Sequence, residues 1–501
     1  MKVTKAWLLD MNGKCYEAET LKEGETLSVY ITPSEGLKAR RMCVEFDIDI
    51  REKRVLAHGF QSWTESFVAD KNSCIKPLNF LASSLLKMDS YGDYHFYRSK
   101  GKRGTIHSHE YLRVFDGPEC DENEIFFAGN LRPEHSYGIF EVDFIGNKVT
   151  YFTDLEGLEL EANVDFTGID LYLGTKAEMY FDYRKLSCGN LKRLTGWTSW
   201  YNYYTKISEK ILFDNLDNLA EKKVKIDVFQ IDDGFQKAVG DWLEINDKFP
   251  NGMKAIADKV KEKNMKPGLW LAPFSCEKTS NIYKNHREML IRDDRDRPIV
   301  VGFNPGWSYF FYGLNIYNSG TRDYLKEVFS TVVNDWGYDF LKLDFLYSAA
   351  IRPYPGKTRA MVMHDALSYL NEIRGDAQML GCGCPIGVAA GMMEYMRIGA
   401  DVAPYWEDKL LKTLSYRERV STAGSLVSTR NRFFLNKRAF MNDPDVFILR
   451  NTSEIKMTAQ QKKELYDCNM KYSGMIFFSD DVSSYDKDTL KLVKTGFAGV
   501  K

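Results

Sequence analysis

Between about residue 190 and residue 445, short apolar runs alternate with longer amphipathic segments. The segments 207–221 and 253–265 repeat apolar residues at steps of three and four, which is typical of helices that bury one face. The apolar runs have the length of strands: RLTGWTSW, KIDVFQID, MKPGLWLAP, YGLNIY, DFLKLDF, QMLGCG, RIGADV and AFMNDP. Strands that alternate in this way with helices or long loops favour a (β/α)8 TIM barrel over an open sheet.

The residues on either side of this stretch follow a different pattern. Up to residue 187, runs of β-branched and aromatic residues such as TLSVYITP and YGIFEVDFIGN end at Gly, Asn, Asp or Pro, which predicts antiparallel strands. We therefore expect a multidomain protein with an N-terminal β-sandwich over residues 1–187 and a catalytic barrel over 188–445. The tail, 446–501, carries short apolar runs such as SGMIFFS and is expected to form a small C-terminal β domain.

The charge and hydropathy of the chain exclude two classes of partner. Lys and Arg total 68 against 70 for Asp and Glu, so the formal net charge is −2. A balance this close to neutral gives no electrostatic footprint for nucleic acid or an anionic membrane surface. The sequence also contains no run of about 18 apolar residues that could span a bilayer. We expect a neutral small molecule as the partner, and neither nucleic acid nor a membrane.

The nine cysteines are scattered, and no pair has the spacing of a zinc ribbon. The N-terminal apolar run Ala6–Leu9 is broken at Asp10, which makes it too short for a signal-peptide core. We therefore expect a cytoplasmic protein with reduced thiols and with no metal or cofactor. Cys382 and Cys384 could form a metal or redox pair, but no second pair or nearby His accompanies them.

Carboxylates end several of the predicted strands. In a barrel of this kind, the active site lies at the C-terminal ends of the strands. The residues found there are Asp232 and Asp233, Asp344, Asp401, and Asp443. Each one alone could be the N-cap of the following helix. The whole set, with Lys342 and Arg397 beside it, favours a functional site.

Asp344 stands inside the apolar run FLKLDFLY, where an unpaired carboxylate is costly to bury. Lys342 is two residues away, on the same face of the strand, and its charge would keep Asp344 ionised, as a nucleophile requires. The strands of Asp344 and Asp401 are predicted to lie two apart around the barrel. Two carboxylates that face each other across a cleft indicate glycoside hydrolysis, and a separation of about 5–5.5 Å gives retention of configuration.

The ordered motifs resemble those of glycoside hydrolase family 36, the α-galactosidase (melibiase) family. The matching strings, in order, are GWTSWYNYY, FQIDDGFQ, GDWLEINDKFPNGMK, MKPGLWLAPF, YDFLKLDF, RIGADVAPYW and NDPD. Before the barrel, FQSWTES resembles the family's segment in which a sandwich-domain tryptophan reaches the sugar site. The resemblance implies an N-terminal sandwich, a central barrel and a C-terminal β domain.

The resemblance implies a retaining, exo-acting α-galactosidase that hydrolyses terminal α-galactose from oligosaccharides such as melibiose and raffinose through a covalent galactosyl-enzyme. Asp344 resembles the nucleophile and Asp401 the general acid/base. The other implied contacts are Asp232 and Asp233 with the C4 and C6 hydroxyls, Lys342 and Arg397 with ring hydroxyls, Trp63, Trp200 and Trp270 as pocket walls, and Cys382 near the C2 substituent. A monomer and a homo-oligomer both remain open.

Two departures from the family pattern leave alternatives open. Family members commonly carry a Gly-rich run where this chain has Gly381-Cys382-Gly383-Cys384-Pro385, so an acetamido group at C2 could replace the hydroxyl. Ala272-Pro273-Phe274 stands where many relatives have a Glu-Pro-Glu-like run. The alternatives are an α-N-acetylgalactosaminidase and a galactosyl transglycosylase of the same fold. A metal-dependent barrel enzyme is disfavoured by the two cations, and a non-catalytic sugar-binding protein would not need two opposed carboxylates.

Overall fold

The computed structural model describes residues 2–90, 93, 96–97, 101–117 and 123–500. In its N-terminal part, the described strands form two antiparallel sheets, with orders β2-β1-β5-β12-β11-β8 and β3-β4-β13-β10-β9-β6-β7. The strand bounds are β1 Lys2–Asp10, β2 Cys15–Glu17, β3 Glu19–Glu23, β4 Thr26–Ile31, β5 Leu37–Asp47, β6 Arg54–Ala57, β7 Phe67–Ala69, β8 Thr105–His109, β9 Tyr111–Phe115, β10 Glu124–Asn130, β11 Gly138–Asp143, β12 Lys148–Leu160 and β13 Phe166–Gly174.

The two antiparallel sheets share one apolar core. In β4, Leu27, Val29 and Ile31 are buried, and the residues between them are partly exposed, as expected for a strand with one covered face. Leu8 and Val44 of the first sheet belong to the same buried cluster as Val29 of the second sheet. This is the packing of a β-sandwich, as the sequence predicts for this region.

The remaining strands belong to two further sheets. Nine strands form a parallel sheet of order β23-β22-β21-β20-β16-β15-β14-β25-β24, and three form an antiparallel sheet of order β17-β19-β18. Their bounds are β14 Leu194–Thr198, β15 Val228–Ile231, β16 Lys266–Leu271, β17 Ser275–Glu277, β18 Val300–Asn304, β19 Tyr309–Gly313, β20 Phe340–Leu343, β21 Gln378–Gly381, β22 Tyr395–Arg397, β23 Met441–Asp443, β24 Val446–Phe447 and β25 Met475–Phe478.

One chain segment lies at both ends of the parallel sheet. Its first part, β23, pairs with β22, and its second part, β24, pairs with β25. Only Pro444 and Asp445 separate the two parts. Because this one short segment pairs with strands near both ends of the sheet, the sheet curls so that its two ends approach each other. Full closure into a (β/α)8 barrel stays a prediction.

Two of the expectations about this region are wrong. The run YGLNIY does not form a parallel strand, because β19 pairs antiparallel with β17 and β18, and the parallel sheet passes directly from β16 to β20. The tail also does not form a separate β domain. Its run MIFF is β25, which is fully buried and pairs in parallel with β14. An apolar run indicates an extended segment, but it does not identify the segment's partner.

Twelve α-helices lie among the described residues, and α1 packs on β10 and β13 of the N-terminal sandwich. Their bounds are α1 Ala177–Tyr183, α2 Trp200–Tyr203, α3 Glu209–Glu221, α4 Gly252–Glu262, α5 Asn281–Asn285, α6 Ser319–Ser330, α7 Arg359–Ile373, α8 Ile386–Ala389, α9 Lys409–Thr413, α10 Thr422–Asn431, α11 Ala459–Tyr472 and α12 Lys487–Ala498. The two helices predicted from periodicity are α3 and α4. Ser208 caps α3 by accepting a hydrogen bond from the Ile211 amide. Among the described residues, no helix is both long and apolar enough to cross a bilayer.

Candidate active site

A cavity of about 440 Å³ lies where the parallel strands end. Its volume is in the range of small-molecule sites, about 300–1,000 Å³. Eight of the ten residues predicted for the site line it: Trp63, Trp200, Asp232, Asp233, Trp270, Lys342, Asp344 and Asp401. Trp200 and Asp401, which are 201 positions apart (401 − 200), follow different parallel strands and line the same cavity, as expected for strand ends that meet at one edge of a sheet.

Asp344 follows directly after β20 and is buried, with 8% of its surface exposed. The indole Nε1 of Trp270 donates a hydrogen bond to Oδ2 at 3.0 Å, and the Phe345 amide donates to Oδ1 at 2.9 Å. Both donors are neutral. They orient the carboxylate without placing a cation on it.

Lys342 lies on the floor of the cavity and binds Asp232 rather than Asp344. Its Nζ donates to Asp232 Oδ2 at 2.8 Å, and both side chains are buried. Burial alone would lower the pKa of Lys342, but the charges of Asp232 and Asp344 raise it above its ordinary value. Lys342 is therefore a permanent cation between two carboxylates.

Asp233 lines the cavity beside Asp232. It accepts hydrogen bonds from Gln236 Nε2 at 2.6 Å and from Trp307 Nε1 at 2.9 Å. Burial raises the pKa of Asp233 to about 6, against the effect of these two donors. A buried carboxylate of this kind is a strong acceptor for a ligand hydroxyl.

Asp401 lies four residues beyond the end of β22, in the loop that follows Arg397. Arg397 Nη1 donates to its Oδ1 at 2.6 Å, and the side chain of Asp401 is 33% exposed. Burial raises the pKa of Asp401, and the charges of Asp344 and Asp232 add to this, whereas Arg397 and Lys342 oppose it; the net direction is upward. A raised pKa suits a carboxyl that has to deliver a proton near neutral pH.

Arg397 itself is buried and carries three carboxylates. Besides Asp401, its Nε donates to Asp443 at 2.9 Å and its Nη2 lies 2.9 Å from Asp445. It is not among the residues that line the cavity. The structure thus gives Arg397 a different place from the predicted contact with ring hydroxyls, namely behind Asp401.

Cys382 is also removed from the cavity wall in the part of the chain that the structure describes. It is buried, and its Sγ accepts a hydrogen bond from Trp63 Nε1 at 3.2 Å. Burial raises the pKa of the Cys382 thiol well above its ordinary value, so the thiol is protonated and unreactive. Cys382 therefore supports the indole of Trp63.

Trp63 comes from the N-terminal sandwich, on a loop that is pinned to the parallel sheet. The Ser62 amide donates to Cys384 O at 3.0 Å, and the Gly383 amide donates to Ser62 Oγ at 2.9 Å. The buried guanidinium of Arg432 donates to the carbonyls of Gly59, Gln61, Ser62 and Ile398. One side chain thereby joins the tryptophan loop to the segment that carries Asp401.

Sequence reasoning missed several contributors to this site, among them Trp307, Asn304 and Arg432. Trp307 and Asn304 reach the cavity from the β18–β19 hairpin, which was expected to be part of the barrel. Arg432 comes directly after α10 and has no motif around it. The only signal for Trp307 is its position in an aromatic stretch, and such stretches are more often core than ligand contacts.

Asp93, His107 and His109 form a buried group, separate from the cavity wall, whose ligand atoms lie within 4.8 Å of one another. His109 Nε2 lies 2.8 Å from Asp93 Oδ1, and Arg417 contacts the other oxygen of Asp93. A guanidinium on that oxygen would repel a metal ion. The group is best described as an ion-pair network, which holds the 416–420 segment against the N-terminal sandwich.

The site therefore contains two carboxyl groups in contrasting environments. Asp344 is oriented by neutral donors, whereas burial and neighbouring carboxylates raise the pKa of Asp401. Carboxyl pairs whose surroundings favour different protonation states carry out acid-assisted displacement in glycoside hydrolysis.

Comparison with protein families gives a match to the melibiase family model over residues 194–371. The chain is 31% identical over 140 residues to α-galactosidase Mel36A of Lactobacillus acidophilus, which is 26% of this chain and 18% of that protein. It is 29% identical over 161 residues to the A type blood α-D-galactosamine galactosaminidase of Flavonifractor plautii, which is 30% of this chain and 14% of that protein. The matched segments thus span less than a fifth of these relatives' own length.

Two solved structures resemble the whole chain. The α-galactosidase TtGalA of Thermus thermophilus, in complex with p-nitrophenyl α-D-galactopyranoside, has a TM-score of 0.76 at 25% identity and covers 96% of this chain and 95% of its own. The family 36 α-galactosidase AgaA of Geobacillus stearothermophilus has a TM-score of 0.63 at 11% identity, over 100% of this chain and 76% of its own. Because AgaA is only 11% identical to this chain, its similarity shows a shared fold alone.

Proposed function

We propose that the chain is a retaining, exo-acting α-galactosidase that releases terminal α-galactose from oligosaccharides, and its match to the melibiase family model over residues 194–371 supports this proposal. The observation that carries this proposal is the single cavity wall shared by Asp344, Asp401, Asp232 and Asp233. It combines a pair of carboxyl groups for displacement with a second pair for hydroxyl recognition. The substrate class is that of melibiose, raffinose and the stachyose bound in a related structure.

In the proposed first step, Asp344 attacks the anomeric carbon while Asp401 donates its proton to the departing oxygen. Trp270 Nε1 and the Phe345 amide orient Asp344 for this attack. In the second step, the Asp401 carboxylate takes a proton from water, which attacks the same carbon and releases galactose. Two inversions give net retention of the anomeric configuration.

Recognition of galactose is assigned to other residues of the same cavity. Asp232 and Asp233 are proposed to accept hydrogen bonds from the C4 and C6 hydroxyls, with Lys342 donating to a ring hydroxyl from its place beside Asp232. Trp63, Trp200, Trp270 and Trp307 supply apolar faces for the pyranose ring. An equatorial O4, as in glucose, would leave a buried carboxylate without its donor, which costs about 1–3 kcal/mol or more for a charged group.

Nitrophenyl α-glycosides of galactose, N-acetylgalactosamine and glucose test the proposal in one assay. We expect kcat/KM to be highest for the galactoside, and the first product seen by NMR to be the α-anomer of galactose. A β-anomer as the first product would overturn retention. Failure to turn over any of the three compounds would overturn the enzymatic assignment.

The same panel separates the nearest alternative. A higher kcat/KM for the 2-acetamido compound would make the protein an α-N-acetylgalactosaminidase, the activity in the name of the Flavonifractor relative. Cys382, which lies beneath Trp63, is the predicted neighbour of the C2 substituent. Product analysis with an added acceptor sugar distinguishes hydrolysis from transglycosylation.

Two structural expectations accompany this proposal. We propose that β23 and β24 act as one interrupted strand that closes an eight-stranded barrel, which would bring the ends of β20 and β22 to face each other across the cavity. We also retain the cytoplasmic location, with which the lack of disulfides among the eight described cysteines agrees.

A further inference from the structure

The aromatic side chains of the cavity wall differ in how their polar atoms are used. The indole N–H groups of Trp63, Trp270 and Trp307 each donate to a neighbouring side chain of the protein. The hydroxyls of Tyr204 and Tyr405, which line the same cavity, form no hydrogen bond with another described residue. The protein therefore fixes the three indoles, whereas the two tyrosines keep their hydroxyls for a ligand or for solvent.

Tyr204 adjoins both the galactose wall and the proposed general acid. Its ring packs edge to face on Trp200, with the ring centroids 5.2 Å apart and the ring planes at 80°. Burial raises the pKa of Tyr204; Arg450 opposes this, and the negative charge of Asp401 adds to it. Because Asp401 has to reach the oxygen of the bond that breaks, the leaving group extends from that oxygen past the residues beside Asp401.

Tyr405 belongs to the same part of the wall. It comes four residues after Asp401, and Thr422 Oγ1 fixes its backbone by donating to its carbonyl at 2.8 Å. Burial raises the pKa of Tyr405, and Asp408 and Tyr204 add to this. The two tyrosines therefore lie near each other beside Asp401, where the leaving group has to pass.

The backbone of Tyr204 is strained. Its φ is +48° and its ψ is −140°, a conformation that glycine adopts readily and other residues rarely adopt. Its neighbours hold the turn in place, because Lys248 Nζ donates to the Thr205 carbonyl at 2.6 Å and a Cβ on Gly234 would lie only 2.9 Å from the Thr205 Cα. Tyr204 is also 43% exposed, so burial in a core does not explain a tyrosine at this position. Strain that the surrounding structure enforces is typical of binding sites.

We propose that Tyr204 and Tyr405 form a subsite for the leaving group, in which the ring of Tyr204 stacks on the first sugar that follows the terminal galactose. A pyranose has C–H faces that pack on an aromatic ring, and its hydroxyls can hydrogen-bond with the two tyrosine hydroxyls. The preferred substrate is then an oligosaccharide whose galactose is linked to a second pyranose, rather than a galactoside with a small alkyl leaving group. This inference rests on the proposed function, because it concerns the leaving group of that reaction.

The test compares melibiose, whose leaving group is a pyranose, with methyl α-galactoside, which has no second ring. In Tyr204→Gly we expect kcat/KM for melibiose to fall about three- to tenfold, mainly through KM, while the value for methyl α-galactoside changes less than about twofold. The inhibition constant of galactose should stay the same, because galactose alone does not reach this subsite. The thermal midpoint should not fall below that of the wild type, because glycine relieves the strained φ.

Two further variants separate the ring from the hydroxyl and extend the test to the second tyrosine. Tyr204→Phe keeps the stacking ring and should keep at least about half of the wild-type preference for melibiose. Tyr405→Ala should lower that preference by about two- to fivefold without the change in backbone strain that accompanies Tyr204→Gly.

Lys223→Gly is the matched control. Lys223 also has a positive φ, of +53°, but it is not among the residues that line the cavity. Its replacement introduces a glycine at a comparable backbone position, so the ratio of kcat/KM for melibiose to that for methyl α-galactoside should stay at the wild-type value.

The outcomes are distinct. If the wild type is active and Tyr204→Gly loses the same factor on both substrates, Tyr204 is a structural residue and this inference alone is overturned. An equal loss of melibiose preference in Lys223→Gly overturns it as well. If Tyr204→Gly does not fold, Tyr405→Ala decides, and an unchanged preference for melibiose in that variant overturns the inference. A wild type that hydrolyses neither compound overturns the proposed function and this inference with it.

Discussion

Asp344 and Asp401 occupy similar places in the fold, yet their surroundings differ in kind. Both follow parallel strands, β20 and β22, which are separated only by β21. Asp344 receives hydrogen bonds from an indole and a backbone amide, both neutral. Asp401 is a third exposed and is contacted by a guanidinium that two other aspartates share. The comparison teaches that the end of a strand supplies the carboxyl group, and that the neighbouring donors decide what it can do.

Replacing Asp344 should have the largest effect. Asp344→Ala removes the proposed nucleophile, so kcat should fall by at least about 10³-fold, and azide should restore part of the rate while giving a glycosyl azide of inverted configuration. The control is Asp339→Ala, because Asp339 precedes the same strand but pairs with Lys261 at the surface. A retained rate above about a tenth of wild type, a loss of only ~1.4 kcal/mol, would contradict the assignment.

Replacing Asp401 should separate substrates by their leaving groups. In Asp401→Ala, substrates with poor leaving groups should lose about 10²–10⁴-fold in rate, whereas activated aryl galactosides should lose much less in the first step and accumulate the covalent intermediate. Wild-type activity should fall as the pH rises through the raised pKa of Asp401, and this basic limb should disappear in the variant. Steady-state and pre-steady-state kinetics on both substrate classes measure this, and equal losses would exclude the role.

Replacing Asp233 should affect recognition rather than the displacement step. Asp233→Asn removes a buried anion that Trp307 and Gln236 orient, so kcat/KM for galactosides should fall about 10–100-fold with little gain for glucosides. Asp241→Asn is the control, because Asp241 is a buried carboxylate in the same segment that accepts from the Asn281 and Ile282 amides outside the cavity. If both variants change sugar preference alike, Asp233 has no specific contact with the sugar.

Substitution at Gly383 should give the smallest effect and tests the support of Trp63. Gly383 has φ of +58°, and an added Cβ would lie 2.8 Å from the Trp63 ring. Gly383→Ala should raise KM for galactosides by about two- to tenfold through the Trp63 wall. It should also lower kcat slightly, because the Cβ would lie 3.1 Å from the Phe345 backbone N, which donates to Asp344. Gly375→Ala shares the backbone strain, with φ of +59°, but its Cβ would meet only Val333 at 3.5 Å. A similar rise in KM in both would rule out the specific contact with Trp63.

Much of the site followed from the sequence because it depends on local order. Asp232, Asp233, Asp344 and Asp401 each follow an apolar run of strand length, and the ends of parallel strands meet at one edge of a sheet. Their convergence therefore needed only correct identification of the strands. The carboxylate partners of Arg397 were not predicted, because Asp443 and Asp445 belong to a later segment of the chain than Asp401 and only the fold brings them together.

The sequence by itself determined the N-terminal antiparallel strands, the alternating strands and helices, and the carboxylates at the strand ends, because side-chain periodicity and strand boundaries are local properties. Only the tertiary structure decided that β25 completes the parallel sheet, that the β18–β19 hairpin brings Trp307 to Asp233, and that Arg432 binds the Trp63 loop. Each of these three contacts joins segments that are far apart in the sequence, and each satisfies a buried backbone or polar group. Many segments share the same local pattern, so the local sequence cannot identify the partner. The packing of the whole chain selects the one arrangement in which all of these groups are paired.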